Sequence, residues 1–127
     1  MKKSVAIIVG GTGQFGLILA KKLLQKKYRV IITTRSLKKA KSKIKRNKNL
    51  IIEKLDIFNK KNIEKLLLKF NPKLIFYFAG QSSPKKSFFK IKETILSNFL
   101  GCKNFLEIIK KTQIKCKFLN SSSCEIY

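Results

Sequence analysis

The spacing of apolar residues along this chain switches repeatedly between short solid runs and helical stripes. Val5–Val9 is wholly apolar and rich in β-branched residues, the pattern of a central parallel strand covered on both faces. From Gly16 to about Lys27, Leu17, Ala20, Leu23 and Leu24 recur at helical spacing, with paired lysines on the other side. Arg29–Thr34 predicts a second strand. Ser36–Lys48 is polar and strongly basic, suited to a short helix and a loop. Leu50–Leu55 predicts a third strand, ending at Asp56.

Between Lys60 and Phe70 the residues Ile63, Leu66, Leu67 and Phe70 share one helical face. Asn71-Pro72 ends that helix, because the residue before proline avoids helical angles. Lys73–Ala79 reads as a fourth strand and Gly80–Lys86 as a loop. Two helical stretches follow through roughly Ser87–Lys111, with Phe99, Cys102, Phe105, Leu106 and Ile109 turned inward. Lys115–Asn120 is the fifth strand. Strands and helices alternating in this order predict an α/β fold, a doubly wound parallel sheet of Rossmann type in strand order 3-2-1-4-5. No linker or internal repeat divides the segments, so residues 1–127 read as one NAD(P)-binding domain.

Composition narrows the picture. With 127 residues, 44% of them hydrophobic, the chain can bury roughly two-thirds of its unfolded surface around one core. Two full domains are excluded. There is no histidine, which removes Ser-His and Cys-His pairs and any His-ligated zinc site. Cys102, Cys116 and Cys124 are odd in number and show no CxxC spacing, which fits a reducing compartment better than a disulfide framework.

Thirty basic residues stand against six acidic ones, a formal net charge of +24. Such a field attracts phosphates of any kind. Only three of the cations are arginine, however, and base readout favours arginine. Lys, Ile, Asn and Phe make up nearly half the chain, and all four have codons rich in A and T, so genomic base composition accounts for much of the lysine. Even Lys38–Lys48, with seven cations in eleven residues, carries no aromatic on which a base would stack. A solvated lysine coat is favoured over a nucleic-acid site.

Met1-Lys2-Lys3 before the uncharged run Ser4–Ala20 has the outline of a secretory leader. Glycines interrupt that run, and it falls short of the roughly 20 apolar residues of a membrane span. A cytoplasmic protein without a membrane partner is expected.

The glycines carry the chemistry. They fit Gly11-x-Gly13-x-x-Gly16 or Gly10-x-x-Gly13-x-x-Gly16, between an apolar strand and an amphipathic helix. In that context glycine permits the tight turn and lets a pyrophosphate approach backbone N–H groups at the helix N-terminus. No Gly-Lys-Ser/Thr follows, which disfavours a P-loop. The second strand ends Thr33-Thr34-Arg35-Ser36, where NAD sites usually place an acid. Arg35 can pair with a 2′-phosphate, which favours NADP over NAD; the alternative is that Arg35 is one more surface cation. Asp56, the sole aspartate, either accepts from the adenine amino group or caps the turn at Asn59–Lys61.

Gly10-Gly11-Thr12-Gly13-Gln14-Phe15-Gly16, Asp56, Ala79-Gly80-Gln81-Ser82, Asn98 and Ser122-Ser123-Cys124-Glu125-Ile126-Tyr127 fall in the order found in extended short-chain dehydrogenases/reductases, the NAD-dependent epimerase/dehydratase family. Within it the chain most resembles the GDP-mannose 4,6-dehydratases, over essentially all its length. The resemblance implies NADP held by Gly10, Thr12, Gly13, Gln14, Phe15, Gly16, Arg35, Asp56, Ile57, Ala79, Gly80, Gln81 and Asn98. It also implies a nucleotide-sugar substrate, GDP-mannose, touched by Ser82, and a homo-oligomeric full-length enzyme. In such enzymes hydride passes from the sugar C4 to NADP⁺, a carboxylate removes the C5 proton, water leaves from C6, and the hydride returns to C6. Glu125 matches the acid/base glutamate, and Ser123 the hydroxyl that hydrogen-bonds the reacting sugar.

The chain departs from the family in several places. Val9 stands for the usual threonine, Phe15 for an aspartate and Cys124 for a serine, and the last of these reads as a buried, inert thiol. The family's tyrosine, with a lysine four residues later, would come some twenty residues beyond Glu125. The implied protein is therefore an amino-terminal, cofactor-binding portion, its sheet truncated after the fifth strand, its substrate-binding part absent and turnover not expected from it alone. Competing readings are an epimerase, decarboxylase or reductase of the same superfamily, a non-catalytic NADP-sensing module, and a basic nucleic-acid binder.

Overall fold

A computed structural model describes residues 3–10, 14–45, 47–78 and 88–120. In chain order the elements are β1 (Val5–Val9), α1 (Gln14–Gln25), β2 (Arg29–Thr34), α2 (Leu37–Lys43), β3 (Leu50–Lys54), α3 (Lys60–Phe70), β4 (Leu74–Tyr77), α4 (Phe88–Thr112) and β5 (Lys117–Asn120). All pairings are parallel, and the strands lie in the order β3-β2-β1-β4-β5. This is the order expected from the alternation. The sense of winding reverses beside β1, whose neighbours are β2 and β4, so a crevice opens at its carboxyl end.

Alternate residues of each strand serve opposite faces. Ile7, Val9, Ile31, Ile75 and Tyr77 pack with Ile63, Leu67 and Phe70 of α3 and Phe105 and Ile108 of α4. Ala6, Ile8, Val30 and Ile32 pack on the other side with Ala20 and Leu23 of α1. The solid apolar composition of β1 follows from this, since Ala6–Val9 is buried from both directions.

The helix ends obey local chemistry. Ser36 caps α2 by accepting from the Lys39 N–H, and Asn59 caps α3 by accepting from the Asn62 N–H. Asn71 closes α3 in the left-handed region (φ 44°), its N–H donating to the Leu67 carbonyl at 2.8 Å, and Pro72 continues the exit. α1 begins at Gln14, two residues before the position expected from the sequence.

α4 differs most from expectation. One 25-residue helix stands in place of two stretches, because Gly101 is accommodated inside it and does not end it. Phe99 and Leu106 are turned outward, 64% and 49% exposed. At about 100° per residue both lie about 100–120° around the helix from Phe105, which is fully buried. Ile108, not foreseen, takes the inward place. Among the described residues no helix is long and apolar enough to cross a membrane.

Candidate cofactor site

β1 delivers Gly10 to the mouth of the crevice, where its φ of 75° requires a residue without a Cβ. Its N–H donates to the Thr33 carbonyl at 3.2 Å, tying the turn to β2. Gly16 is buried in the first turns of α1, and this helix N-terminus carries a partial positive charge. Thr12 and Gly13 lie outside the described residues. Gln14 and Phe15 open α1. On the other side of β1, the Phe78 N–H donates to the Val9 carbonyl at 2.8 Å, so β4 also exits into the crevice. Ala79, Gly80, Gln81 and Ser82, which follow it, lie outside the described residues.

β2 ends in a tight turn. The Thr34 hydroxyl accepts from the Ser36 N–H (3.1 Å) and lies 3.2 Å from the Ser36 carbonyl, to which it donates. Arg35, between them, is exposed and sets its guanidinium over the Phe58 ring, 5.8 Å from the centroid. The Thr34 carbonyl accepts from the Leu55 N–H at 2.9 Å, and Thr34 is in register with Lys54. Arg35, Lys54, Leu55, Asp56 and Phe58 line a cavity of about 380 Å³ at the carboxyl ends of β2 and β3. Two cations, one carboxylate and one aromatic plate suit a phosphate-bearing heteroaromatic ligand.

Asp56 has a structural task here. Its Oδ1 accepts from the Phe58 N–H at 2.9 Å, and its carbonyl accepts from the Asn59 N–H at 3.0 Å. It builds the turn that presents Phe58, while Asn59 caps α3. Ile57 sends its side chain into the core, and its carbonyl accepts from the Asn104 amide at 3.0 Å.

Beneath the crevice Tyr77 is buried against Phe105, ring edge to face at 5.8 Å. Its phenol is held well above the ordinary range, chiefly by burial and further by Cys102, with Arg35 opposing. It stays neutral and structural near pH 7. Burial also raises the Cys116 thiol, which makes it a poor nucleophile. Asn98 belongs to α4, but its side chain lies outside the described residues, as do Ser123 and Glu125 entirely. Among the described residues no group of three metal-ligating side chains occurs.

Lys54 and Phe58 were not singled out from the sequence. The signal for Lys54 was available, as the last residue of a strand parallel to one ending beside Arg35. Phe58 carried only the hint of an aromatic two residues past the lone aspartate.

The fold recurs in solved enzymes. An epimerase from Methanothermobacter thermautotrophicus superposes with a TM-score of 0.79 at 21% identity, over 94% of this chain and 35% of that one. UDP-glucose 4-epimerase from Thermotoga maritima, solved with UDP-glucose, gives 0.74 at 22%, over 91% of this chain and 37% of that one. The Bordetella bronchiseptica enzyme WbmH, solved with NAD⁺, gives 0.70 at 19%, over 89% and 37%. The chain thus spans little more than a third of the length of these enzymes. The sequence profile of GDP-mannose 4,6 dehydratase matches residues 7–127, and so nearly the whole chain. With the five-stranded parallel sheet described and this match over nearly its whole length, the chain belongs to the GDP-mannose 4,6 dehydratase family, among the extended short-chain dehydrogenases/reductases.

Proposed function

We propose that this chain is the cofactor-binding portion of a nucleotide-sugar 4,6-dehydratase that converts GDP-mannose to GDP-4-keto-6-deoxymannose with NADP. The observation that carries the reading is the pair of cations, Arg35 and Lys54, at the cavity between β2 and β3. A 2′-phosphate is a dianion that a ribose hydroxyl is not, so two cations favour NADP. The bound NAD⁺ of WbmH supports a nicotinamide dinucleotide on this fold, and the family profile supports the sugar chemistry.

The residues present fit the dinucleotide. Gly10 offers backbone without a Cβ at the mouth of the crevice, and by the family resemblance Thr12, Gly13, Gln14, Phe15 and Gly16 would hold the pyrophosphate with it. Asp56, Ile57 and Phe58 would hold the adenine, and by the family resemblance Ala79, Gly80, Gln81 and Asn98 would hold the nicotinamide half. The chemistry supplied by the bound cofactor is reversible hydride exchange with the sugar. Glu125 takes the proton at C5 and protonates the departing C6 hydroxyl. Ser123 hydrogen-bonds the reacting sugar, and Ser82 contacts it.

Removing the C4 hydroxyl proton needs a tyrosine with a lysine four residues on. Tyr28 and Tyr77 are followed at that distance by Ile32 and Gln81. Neither tyrosine supplies that pair, so the role proposed for these 127 residues is cofactor binding. An epimerase, decarboxylase or reductase on another nucleotide sugar is the second reading. The UDP-glucose 4-epimerase likeness favours it; Glu125 argues against most epimerases, but a decarboxylase could share it.

Calorimetry of NADP(H) against NAD(H) at two salt concentrations tests the cofactor assignment. NADP(H) is expected to bind more tightly, and Arg35→Ala to remove the difference. Equal affinities, or a preference that survives Arg35→Ala, overturn it. At a net charge of +24 any phosphate binds with some salt sensitivity, so the difference between cofactors decides.

A further inference from the structure

A second and larger cavity lies away from the crevice. It is a groove of about 610 Å³ between the end of α2 and the outer strand β3. Ile44, Leu50 and Ile52, half-buried, form its floor, and Lys41, Lys45 and Lys48 rim it without a carboxylate among the lining residues. α2 has only seven residues, too few to roof β3 along its length.

The same strand is the open edge of the sheet, with β2 its one neighbour among the described residues. The Asn49 carbonyl accepts from Val30 and the Leu55 N–H donates to Thr34. By the alternation of a parallel ladder, residues 49, 51, 53 and 55 face β2, and residues 50, 52 and 54 face outward. The Leu50 N–H closes a turn onto the Asn47 carbonyl. The Leu50 carbonyl, both backbone groups of Ile52 and the Lys54 N–H are left along the edge. Edge hydrogen-bonding groups, an apolar floor and a cationic rim therefore coincide on one strand.

We propose that the β3 edge binds an acidic segment of another polypeptide in extended conformation, added as a sixth strand. Main-chain bonds to Leu50, Ile52 and Lys54 would hold it about 4.8 Å from β3. Its alternate apolar side chains fill the groove over Ile44, Leu50 and Ile52. Carboxylates at the two ends of the segment, flanking those apolar residues, meet Lys41, Lys45 and Lys48 at the rim. A second copy of this chain is disfavoured by charge, since the lysine rims would face one another on a molecule of net charge +24. Nucleic acid is disfavoured by a floor of aliphatic side chains with no aromatic among them.

The probe is a capped octapeptide with two glutamates at each end and valine alternating with threonine at its four central positions, titrated into the 127-residue chain and followed by amide hydrogen exchange. Exchange at Ile52 and Lys54 is expected to slow by about tenfold or more on binding, as a bonded strand edge requires. Lys45→Glu combined with Lys48→Glu is expected to weaken binding about tenfold or more. Ile52→Pro removes the outward donor at a position where an edge strand tolerates proline, and is expected to abolish binding. The fully N-methylated peptide makes the same test from the ligand side, independent of how any variant folds, and is expected not to bind. Peptide binding without protection of Ile52 and Lys54, equal binding of the same peptide with lysine in place of each glutamate, or undiminished binding after N-methylation overturns the proposal. Displacement of the peptide from these amides by single-stranded oligodeoxythymidine, at a lower concentration than the peptide needs, assigns the groove to nucleic acid and also overturns it.

Discussion

The Tyr77 hydroxyl occupies the space that a Cβ on Gly101 would need. The phenol oxygen lies against the glycine, and a Cβ built there would also come within 2.8 Å of Ile57 Cδ1 and 3.1 Å of Tyr77 Cζ. β4, the turn after β3 and the middle of α4 thus meet at one point below the crevice.

Gly101→Ala is expected to destabilise the fold. Overpacking costs about 1–3 kcal/mol, against a gain of about 1 kcal/mol for alanine over glycine within a helix. Urea denaturation of Gly101→Ala, Tyr77→Phe and the double variant checks it. The double variant should recover part of the loss, because the nearest clashing atom is gone. A Gly101→Ala protein as stable as the original would show that Tyr77 is free to move aside.

α4 runs beside α3 in a constant register. Asn104 bonds Ile57, Lys60 pairs with Glu107 at 2.6 Å and Lys111 with Glu64 at 3.3 Å, each pair 47 residues apart. The ion pairs are solvent-exposed on at least one side and are worth about 0–1 kcal/mol each. The Asn104 bond is partly buried, and removing it strands a carbonyl at a cost of about 1–3 kcal/mol. Asn104→Ala should therefore lower the urea midpoint more than Lys60→Ala does. The reverse ranking would mean that charge, not the carbonyl bond, sets the helix register.

Alkaline stability should report on Tyr77. Burial raises its phenol above the ordinary value, so the folded state keeps a proton that the unfolded chain releases above about pH 10. The stability due to the neutral phenol is intact below that pH and is lost as pH rises toward the folded value. The comparison with Tyr77→Phe, which carries the same surface charge, is the measurement. The phenylalanine variant should lose less stability between pH 9 and 11, both set by about the ordinary phenol value. Parallel curves would place the phenol in contact with water.

Glu125→Gln tests the dehydratase reading. Fused to the carboxyl-terminal part of a related dehydratase carrying the tyrosine and lysine, the variant should bind cofactor normally. Its elimination of water should slow by about 10²–10⁴-fold, the usual worth of a general acid/base. Deuterium entry at C5 from solvent should fall with it. Dehydration at the original rate in a folded, NADP-loaded fusion would remove Glu125 from the mechanism.

The sequence was sufficient wherever one local pattern had a single physical outlet. A solid run such as Val5–Val9 can only be buried from both sides, and strands separated by helical stripes can only be parallel. The order β3-β2-β1-β4-β5 is one of the common doubly wound orders, and the one expected beside a glycine-rich turn after the first strand. Gly10, and the face formed by Ile63, Leu66, Leu67 and Phe70, were legible for the same reason.

Tertiary structure decided what depends on partners far along the chain. The apolar stripe of α4 is broader than the sheet can cover, so only packing could turn Phe105 and Ile108 inward and leave Phe99 and Leu106 outside. Nothing local to Gly101 shows that Tyr77 fills its side-chain space from β4. Arg35 meets Phe58, and Lys54 joins them at one cavity, because parallel pairing brings two strand ends together across α2 and its loop. Asp56 spends one carboxylate oxygen on the turn that holds Phe58 in place, while Asn59 takes the helix cap that one of the two readings gave to Asp56. Short-range pattern fixes which elements form, because burial and hydrogen bonding act residue by residue. Which side chains share a cavity is set by register between distant strands, and no local spacing encodes it.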